Sequence, residues 1–302
     1  MTVCCDSDAG RAQDLAGEIP GARAVSEWQA AVRAEDVDLV IVATPHDLLA
    51  AVAACAAANG KHVLIEKPGA RRAAELELVR EAAERTGALV RVGFNHRYHR
   101  ALRKAREIWK SGIAGELMFI RGRYGHGGRP GYEREWRAQP GRSGGGELLD
   151  QGIHLIDLAQ WFLGDFSRIW GRVKTFYWDM PVEDNAFLLL ETPEGKLAFL
   201  HASWTEWKNL FSFEIVCQRG KLEINGLGGS YGPERLTFYR MLPELGPPET
   251  TSWEYPMADD SWQVELVEFL EDIRLARRPV PGIADAQTAL RVVEQVYRGC
   301  LS

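Results

Sequence analysis

Two stretches of the chain hold residue types suited to moving a proton. Glu66-Lys67-Pro68 follows His62 to Ile65, a run that reads as a strand. Ligands of α/β sheets collect at the carboxyl ends of strands, and Pro68 confines the Lys67 backbone to extended conformations. A flexible ammonium is thereby held in a defined direction. Further on, Gly144-Gly145-Gly146 opens a helical stretch, about Glu147 to Phe162, that carries Asp150, His154 and Asp157. Residues four apart on a helix share a face, which predicts Asp150 beside His154 with Asp157 on the same side. A carboxylate next to an imidazole suits acid–base work, because it orients the ring and stabilises its charged form. The blander readings are a surface lysine at a strand end and a capped core helix with a satisfied histidine. A metal site needs at least one further ligand, and none has convincing spacing, so no metal is expected.

The elements that must position these residues change character along the chain. Up to about residue 96, strands and helices alternate. Thr2 to Cys5 reads as a short strand, with Asp8 capping a helix after it. Ser26 is an N-cap candidate for a helix over Glu27 to Arg33. Val37 to Ala43 is an apolar, β-branched run of the kind covered on both faces in a parallel sheet. His46 to Ala58, Arg71 to Thr86 and, between and after them, His62 to Ile65 and Ala88 to Phe94 continue the βαβ alternation. Beyond a helix near Arg100 to Ser111, strand-like segments dominate: Glu116 to Tyr124, Ile169 to Trp178, Ala186 to Glu191, Leu197 to Trp204, Phe211 to Cys217 and Leu236 to Tyr239. Short turns such as Thr192-Pro193-Glu194-Gly195 favour antiparallel hairpins. Two helices near Trp262 to Ala276 and Asp285 to Cys300 finish the chain.

The chain has 302 residues, 46% hydrophobic and 26% charged, with a formal net charge of −6. This is enough for two domains of ordinary globular composition. The negative balance and scattered basic residues argue against nucleic acid as a partner. No apolar run is long enough for a membrane span, and the first residues do not resemble a signal peptide. Five cysteines without metal-ligand spacing read as free thiols in a reducing cytoplasm.

In order and spacing, "DLVIVATP", "GKHVLIEKP", "VGFNHRY" and "GGGELLDQGIHLIDLAQWFLG" resemble the glucose-fructose oxidoreductase/inositol dehydrogenase (Gfo/Idh/MocA) family, over nearly the whole chain. The resemblance implies an α/β Rossmann domain over 1–96, N-terminally truncated, followed over 97–302 by an α+β domain with a large, mostly antiparallel open sheet. It implies NAD(P)-dependent hydride transfer at a hydroxyl carbon of a sugar, polyol, inositol or nucleotide sugar. A nucleotide sugar oxidised at C3 is favoured, because the C-terminal segment looks like relatives of polysaccharide assembly. Lys67, Asp150 and His154 would carry the chemistry, with the base shared between Lys67 and His154. Arg97 and Tyr98 would join them around the substrate. Thr44, Pro45, His46, Glu66, Asn95, Trp136 and Arg137 would face the cofactor. Arg137 is equally readable as a solvated loop arginine, and His46 as a surface histidine at a helix start. A homodimer or homotetramer is expected, since an open sheet rich in aromatics needs cover.

The chain departs from the family at its start. The family opens with a strand and a G-x-G-x-x-G turn that lets backbone approach a pyrophosphate, whereas here the sequence begins where the second strand is expected. Either roughly 25–40 residues are missing through a misplaced start, or the copy is degenerate. A missing central strand predicts exposed apolar edges on its two neighbours. Gly226-Leu227-Gly228-Gly229-Ser230-Tyr231-Gly232 is the only comparable pattern, and Pro233 after it favours a hairpin loop. Asp6, ending the first strand, would accept hydrogen bonds from a ribose and repel a 2′-phosphate, favouring NAD, or else cap the following turn. Arg11 lies close enough to leave NADP possible. Trp204 and Trp207, flanking Glu206, would stack on a sugar or pack in an interface, the latter preferred. Two alternatives stand beside the dehydrogenase: a sugar-binding homologue that has lost its cofactor, and a glycosidase that uses NAD transiently.

Overall fold

The computed structural model describes residues Met1–Cys300, the last of these without its side chain. Contacts divide the chain into two units. One comprises Met1–Gly93 with Glu268–Gln287; the other comprises Phe94–Val267 with the chain from Thr288 on.

The first unit runs β1 (Val3–Cys5), α1 (Ala9–Gly17), β2 (Arg23–Val25), α2 (Trp28–Arg33), β3 (Leu39–Val42), α3 (His46–Ala58), β4 (His62–Glu66), α4 (Glu75–Thr86) and β5 (Val90–Gly93). All its strand pairs are parallel, as Rossmann-type alternation requires. They form two separate sheets, β1-β2 and β3-β4-β5. Cys5 on β1 and Ile41 on β3 are exposed. Asp8 caps α1, accepting from the backbone of Gly10 and Arg11. Ser26 does not cap α2, which begins one residue later than expected behind Glu27 and makes no side-chain cap. The α4 helix also starts late. Its Glu75 carboxylate turns back to accept from the Arg71 backbone at 3.1 Å and so closes the turn ahead of the helix. Gly87 ends it in the left-handed region, φ 77°.

The second unit opens with a 3₁₀ turn at Asn95–Tyr98. It continues through α5 (Arg100–Lys110), β6 (Leu117–Gly125), α6 (Pro140–Ser143) and a π-helical turn at Leu148–Gly152 that leads into α7 (Ile153–Leu163). Then come β7 (Arg168–Lys174), β8 (Asn185–Glu191), β9 (Leu197–Ser203), β10 (Leu210–Cys217), β11 (Gly220–Asn225), β12 (Glu234–Arg240) and β13 (Glu249–Tyr255). The two last helices, α8 (Ser261–Arg274) and α9 (Ile283–Cys300), each contribute to both units. The strands form one eight-stranded sheet in the order β13-β12-β11-β10-β6-β9-β8-β7, antiparallel except for β6 with β9. Burial alternates residue by residue along β10 and β11, so one face is packed and the other open. Gly122 keeps the packed face close to α7: a Cβ there would meet Leu155, Leu200 and Phe213 at 3.1–3.2 Å. On the open face Trp170, Leu189 and Phe199 are exposed. Strands β11 and β13 add to the six foreseen, and the glycine-rich segment at Gly226 is the loop joining β11 to β12. Among the described residues, no helix is long and apolar enough to cross a membrane, and Cys4, Cys5, Cys55 and Cys217 are free thiols.

In the first unit the fully buried Arg91 of β5 pairs with Asp272 of α8, lies 3.4 Å from Glu268 and stands 5.6 Å over the Phe269 ring. A buried guanidinium without its carboxylate is strongly destabilising. Asp272→Ala is expected to cost about 3 kcal/mol in urea unfolding, the low end of the usual range because Glu268 remains. A loss below about 0.5 kcal/mol, the scale of ordinary surface substitutions, would rule this pair out as a structural brace.

Candidate active site

The helix bearing the acid–base residues is entered through a tightly packed glycine turn. The Glu183 carboxylate accepts from the backbone of Gly146 and Leu148, each at 3.1 Å, and from the Tyr297 hydroxyl at 2.7 Å. The Glu183 carbonyl accepts from the Glu147 backbone at 3.0 Å. Three orphan donors at the helix start are thus satisfied by one residue. A Cβ on Gly145 would lie 2.1 Å from the Tyr297 hydroxyl, and one on Gly146 would lie 2.1 Å from the Glu183 carbonyl oxygen. These two glycines therefore admit protein neighbours.

The turn that follows is π-helical, and this alters the expected face. The wider coil carries Asp150 and Gln151, so the regular helical wheel does not hold between Asp150 and His154. Asp150 accepts from Arg137 Nε at 3.1 Å, while the Arg137 guanidinium also lies 4.6 Å over the Trp136 ring. Asp157 belongs to a second, separate ion pair: its two oxygens take Nε and Nη2 of Arg97 at 2.8 and 2.6 Å. Arg97, expected at the substrate, is committed to this pair and is almost wholly buried. Tyr98 is buried too, with Arg103 stacked on its ring at 5.5 Å. Gln151 donates from Nε2 to the Tyr231 hydroxyl at 3.0 Å, and its buried Oε1 has no hydrogen-bond partner within the chain.

His154 is buried, and its ring stacks face to face on that of His96, 3.7 Å between centroids and 16° from parallel. His96 Nδ1 lies 3.1 Å from Asn95 Oδ1; Asn95 Nδ2 donates to Ser261 Oγ at 3.0 Å. Asn95 is thus a buried link between His96 and the start of α8. Tyr124 of β6 closes the cluster, its ring 5.2 Å from that of His96 and 5.0 Å from that of Tyr231. Burial pushes the Tyr124 phenol well above its ordinary range, with Tyr231, Glu147 and Asp150 adding to the rise. Burial raises Tyr231 as well, so both phenols stay neutral donors. Burial lowers His126 against the pull of Asp150, and its Nδ1 accepts from the Gly128 backbone at 2.9 Å, leaving the proton of the neutral ring on Nε2. Neutral hydroxyl donors can hold a substrate hydroxyl, and an imidazole beside them can take its proton.

In the first unit, Glu66 ends β4 and Lys67 follows it, partly exposed, through a cis Lys67–Pro68 peptide. Burial raises the Glu66 carboxyl, with the Lys67 charge opposing. Thr44 and Pro45 lie between β3 and α3, and His46 is buried at the first residue of α3. Thr44 Oγ1 is buried with no partner within the chain. At the end of β1, Asp6 accepts from the Asp8 backbone at 2.8 Å, and the exposed Arg11 lies 3.7 Å from Asp8. Trp204 is fully buried against Tyr132, whereas Trp207 is exposed beside Tyr177; the two share neither environment nor partner. His96, Tyr124, Gln151 and Tyr231 escaped the sequence reading. His96 lay inside a quoted motif, but nothing in its spacing from His154 announces a stack, and Tyr231 is one aromatic in a glycine loop.

The glycine packing yields a direct test. Gly146→Ala is expected to destabilise the protein by about 3 kcal/mol, because the Glu183 backbone cannot yield as a side chain would. Gly141→Ala, where a Cβ meets nothing within 4 Å, serves as the control in the same thermal denaturation series. Equal stability of the two variants would contradict the packing described.

Residues 1–94 match the oxidoreductase family with an NAD-binding Rossmann fold, and residues 102–223 match the GFO/IDH/MocA C-terminal domain. Levoglucosan dehydrogenase of Pseudarthrobacter phenanthrenivorans is 29% identical over 195 residues, 64% of this chain and 50% of its own length. D-glucoside 3-dehydrogenase of Escherichia coli is 29% identical over 230 residues, 68% of this chain and 62% of its own. The 2,7-anhydro-N-acetylneuraminate hydratase of Escherichia coli is 30% identical over 238 residues, 76% of this chain and 59% of its own. The chain thus spans between half and about three fifths of the length of these three curated relatives. Among solved structures, an oxidoreductase domain protein from Kribbella flavida superposes with a TM-score of 0.86 at 25% identity, over 99% of this chain and 88% of that one. With a Rossmann-type unit, a mostly antiparallel open sheet and matches to both of its domains, the chain belongs to the GFO/IDH/MocA oxidoreductase family.

Proposed function

We propose that this protein is a nicotinamide-dependent dehydrogenase that transfers a hydride between a hydroxyl carbon of a sugar, inositol or nucleotide sugar and NAD. The observation that carries the reading is the cluster formed by the buried Asp150, Gln151 and His154 around one helix start, with the buried Tyr124 of β6 and the partly buried Tyr231. It combines a paired carboxylate, an imidazole and neutral hydroxyl donors, a set suited to holding a polyol and taking up a proton.

The residues present fit a dinucleotide in part. Thr44 Oγ1 is a buried hydroxyl without a partner in the chain, at the carboxyl end of β3, where α/β sheets place ligands. Asp6 at the end of β1 spends one oxygen on the Asp8 backbone and keeps the other for ribose hydroxyls, which favours NAD over NADP. Pro45, His46 and Glu66 would line the same strand ends, and Asn95, Trp136 and Arg137 are further candidates from the second unit. When bound, the nicotinamide supplies the hydride acceptor. The chain's own contribution is the proton: Lys67 and His154 take it from the reacting hydroxyl and stabilise the developing oxyanion, while Asp150 and Tyr231 orient the sugar. The relative named as a hydratase favours a second reading, in which oxidation is transient and the net reaction is not redox.

Turnover of the full-length protein on a panel of pyranoses, inositols and nucleotide sugars tests this reading. Lys67→Ala and His154→Ala are each expected to lower kcat/KM by about 10²–10⁴, the usual contribution of a positioned acid–base group. Near wild-type turnover in either variant would remove that residue from the mechanism.

A further inference from the structure

We infer that Gln151 reads a hydroxyl of the substrate other than the reacting one, accepting a hydrogen bond from it at Oε1, and so helps to set which polyols the site takes. The inference rests on the substrate class proposed above. Gln151 is 8% exposed and sits in the π-helical turn, next to Asp150 and three residues before His154. Its Nε2 donates to the Tyr231 hydroxyl at 3.0 Å, which orients the amide. Its Oε1 is buried and has no hydrogen-bond partner within the chain. A buried carbonyl oxygen without a donor costs free energy, and native folds leave few such groups. An amide oxygen accepts and cannot donate, so the group that completes it is an O–H or an N–H. A sugar or an inositol presents an O–H at almost every ring carbon.

The neighbours of the amide connect it to the site. Tyr231 is partly exposed, on the loop that joins β11 to β12, so a sugar that engages its hydroxyl meets the Gln151 amide next. That loop is tied down from the other side, where Asn209 Nδ2 donates to the Ser230 carbonyl at 3.1 Å. Tyr124 flanks Tyr231, with 5.0 Å between ring centroids, and its own ring lies 6.3 Å from that of His154. The amide therefore belongs to the same cluster as the acid–base residues. It is also the uncharged acceptor of that cluster, next in sequence to the Asp150 carboxylate that holds Arg137. An uncharged acceptor selects a hydrogen-bond donor without drawing a cation to itself. The consequence is a one-sided preference. A sugar with a hydroxyl at the matching position completes Oε1, whereas a deoxy or O-methylated analogue displaces water and leaves the oxygen buried without a donor.

The test is steady-state turnover by the full-length protein with NAD of D-glucose, D-xylose, myo-inositol and UDP-glucose, each beside its singly deoxygenated analogues. The wild type is expected to reject the analogue that lacks the hydroxyl read by Gln151 by on the order of 10⁴ in kcat/KM, as a site built to hydrogen-bond a hydroxyl does. Gln151→Leu should narrow that ratio at least about tenfold, the scale of one hydrogen bond, and leave the ratios at the other ring positions as they were. Gln151→Glu keeps an acceptor in the same place and should restore the preference. A preference lost in Gln151→Leu and not restored in Gln151→Glu would assign the contact to the amide N–H and overturn the proposal. Ratios unchanged in Gln151→Leu at every position would overturn it as well, and a lower melting temperature alongside them would leave Gln151 a structural residue. If Gln151→Leu does not fold, Gln151→Met, closer in shape, supplies the same ratios. If the protein binds these compounds without turning them over, calorimetric affinities give the ratios instead. Binding of none of them would reject the substrate class together with the proposal, whereas turnover with unchanged ratios would reject the role of Gln151 alone.

Discussion

The Glu183 carboxylate fixes the place where the acid–base residues leave the backbone. It ties Gly146 and Leu148 to the loop ahead of β8 and the hydroxyl of Tyr297 on α9 to the same point. Glycines 145 and 146 are required there because any Cβ would collide with those partners. Everything downstream inherits this anchor: the π-turn that sets Asp150 and Gln151, and the first turn of α7 that sets His154. Burial raises the Glu183 carboxyl, while the Tyr297 hydroxyl and the backbone of Glu183, Leu148 and Gly146 oppose the rise.

Within each unit, buried charges are disposed of in ion pairs, some of them shared. Asp157 takes Arg97, Asp150 takes Arg137, Glu234 takes His99, and in the other unit Asp272 takes Arg91. Pairing matters because a lone buried charge costs more than most cores can offset. It also sorts the polar residues of the helix by role. Asp157 is held by the buried Arg97, whereas Asp150 is bound to the partly exposed Arg137. Such a division cannot be drawn from the spacing of two aspartates on one helix.

The alternation of β-branched runs and alanine-rich helices made the Rossmann-type half legible down to helix ends, as His46–Ala58 and Gly87 show. The open sheet was legible as a set of strands, but its edge was not. β13 is polar and exposed over Glu249 to Ser252, and only Trp253 and Tyr255 near its end are partly covered, too short a pattern to mark a strand. The clean alternation of β11 was there to be read and was hidden by a short hairpin at Arg219. In the site, residue types were visible and neighbours were not. The sequence announces Asp150 and His154, but the π-turn between them depends on packing. His96 and Tyr231 come from distant segments whose approach is a product of topology.

Deuterium transfer is the most direct measurement of the central claim. The full-length protein would be given NAD and pyranoses or inositols carrying deuterium on the hydroxyl-bearing carbons, and the nicotinamide product would be examined by mass spectrometry. The account predicts label in the reduced nicotinamide from at least one of these substrates, without dilution by solvent hydrogen. Saturable sugar binding with no label reaching the nicotinamide would contradict it and leave a sugar-binding protein in its place.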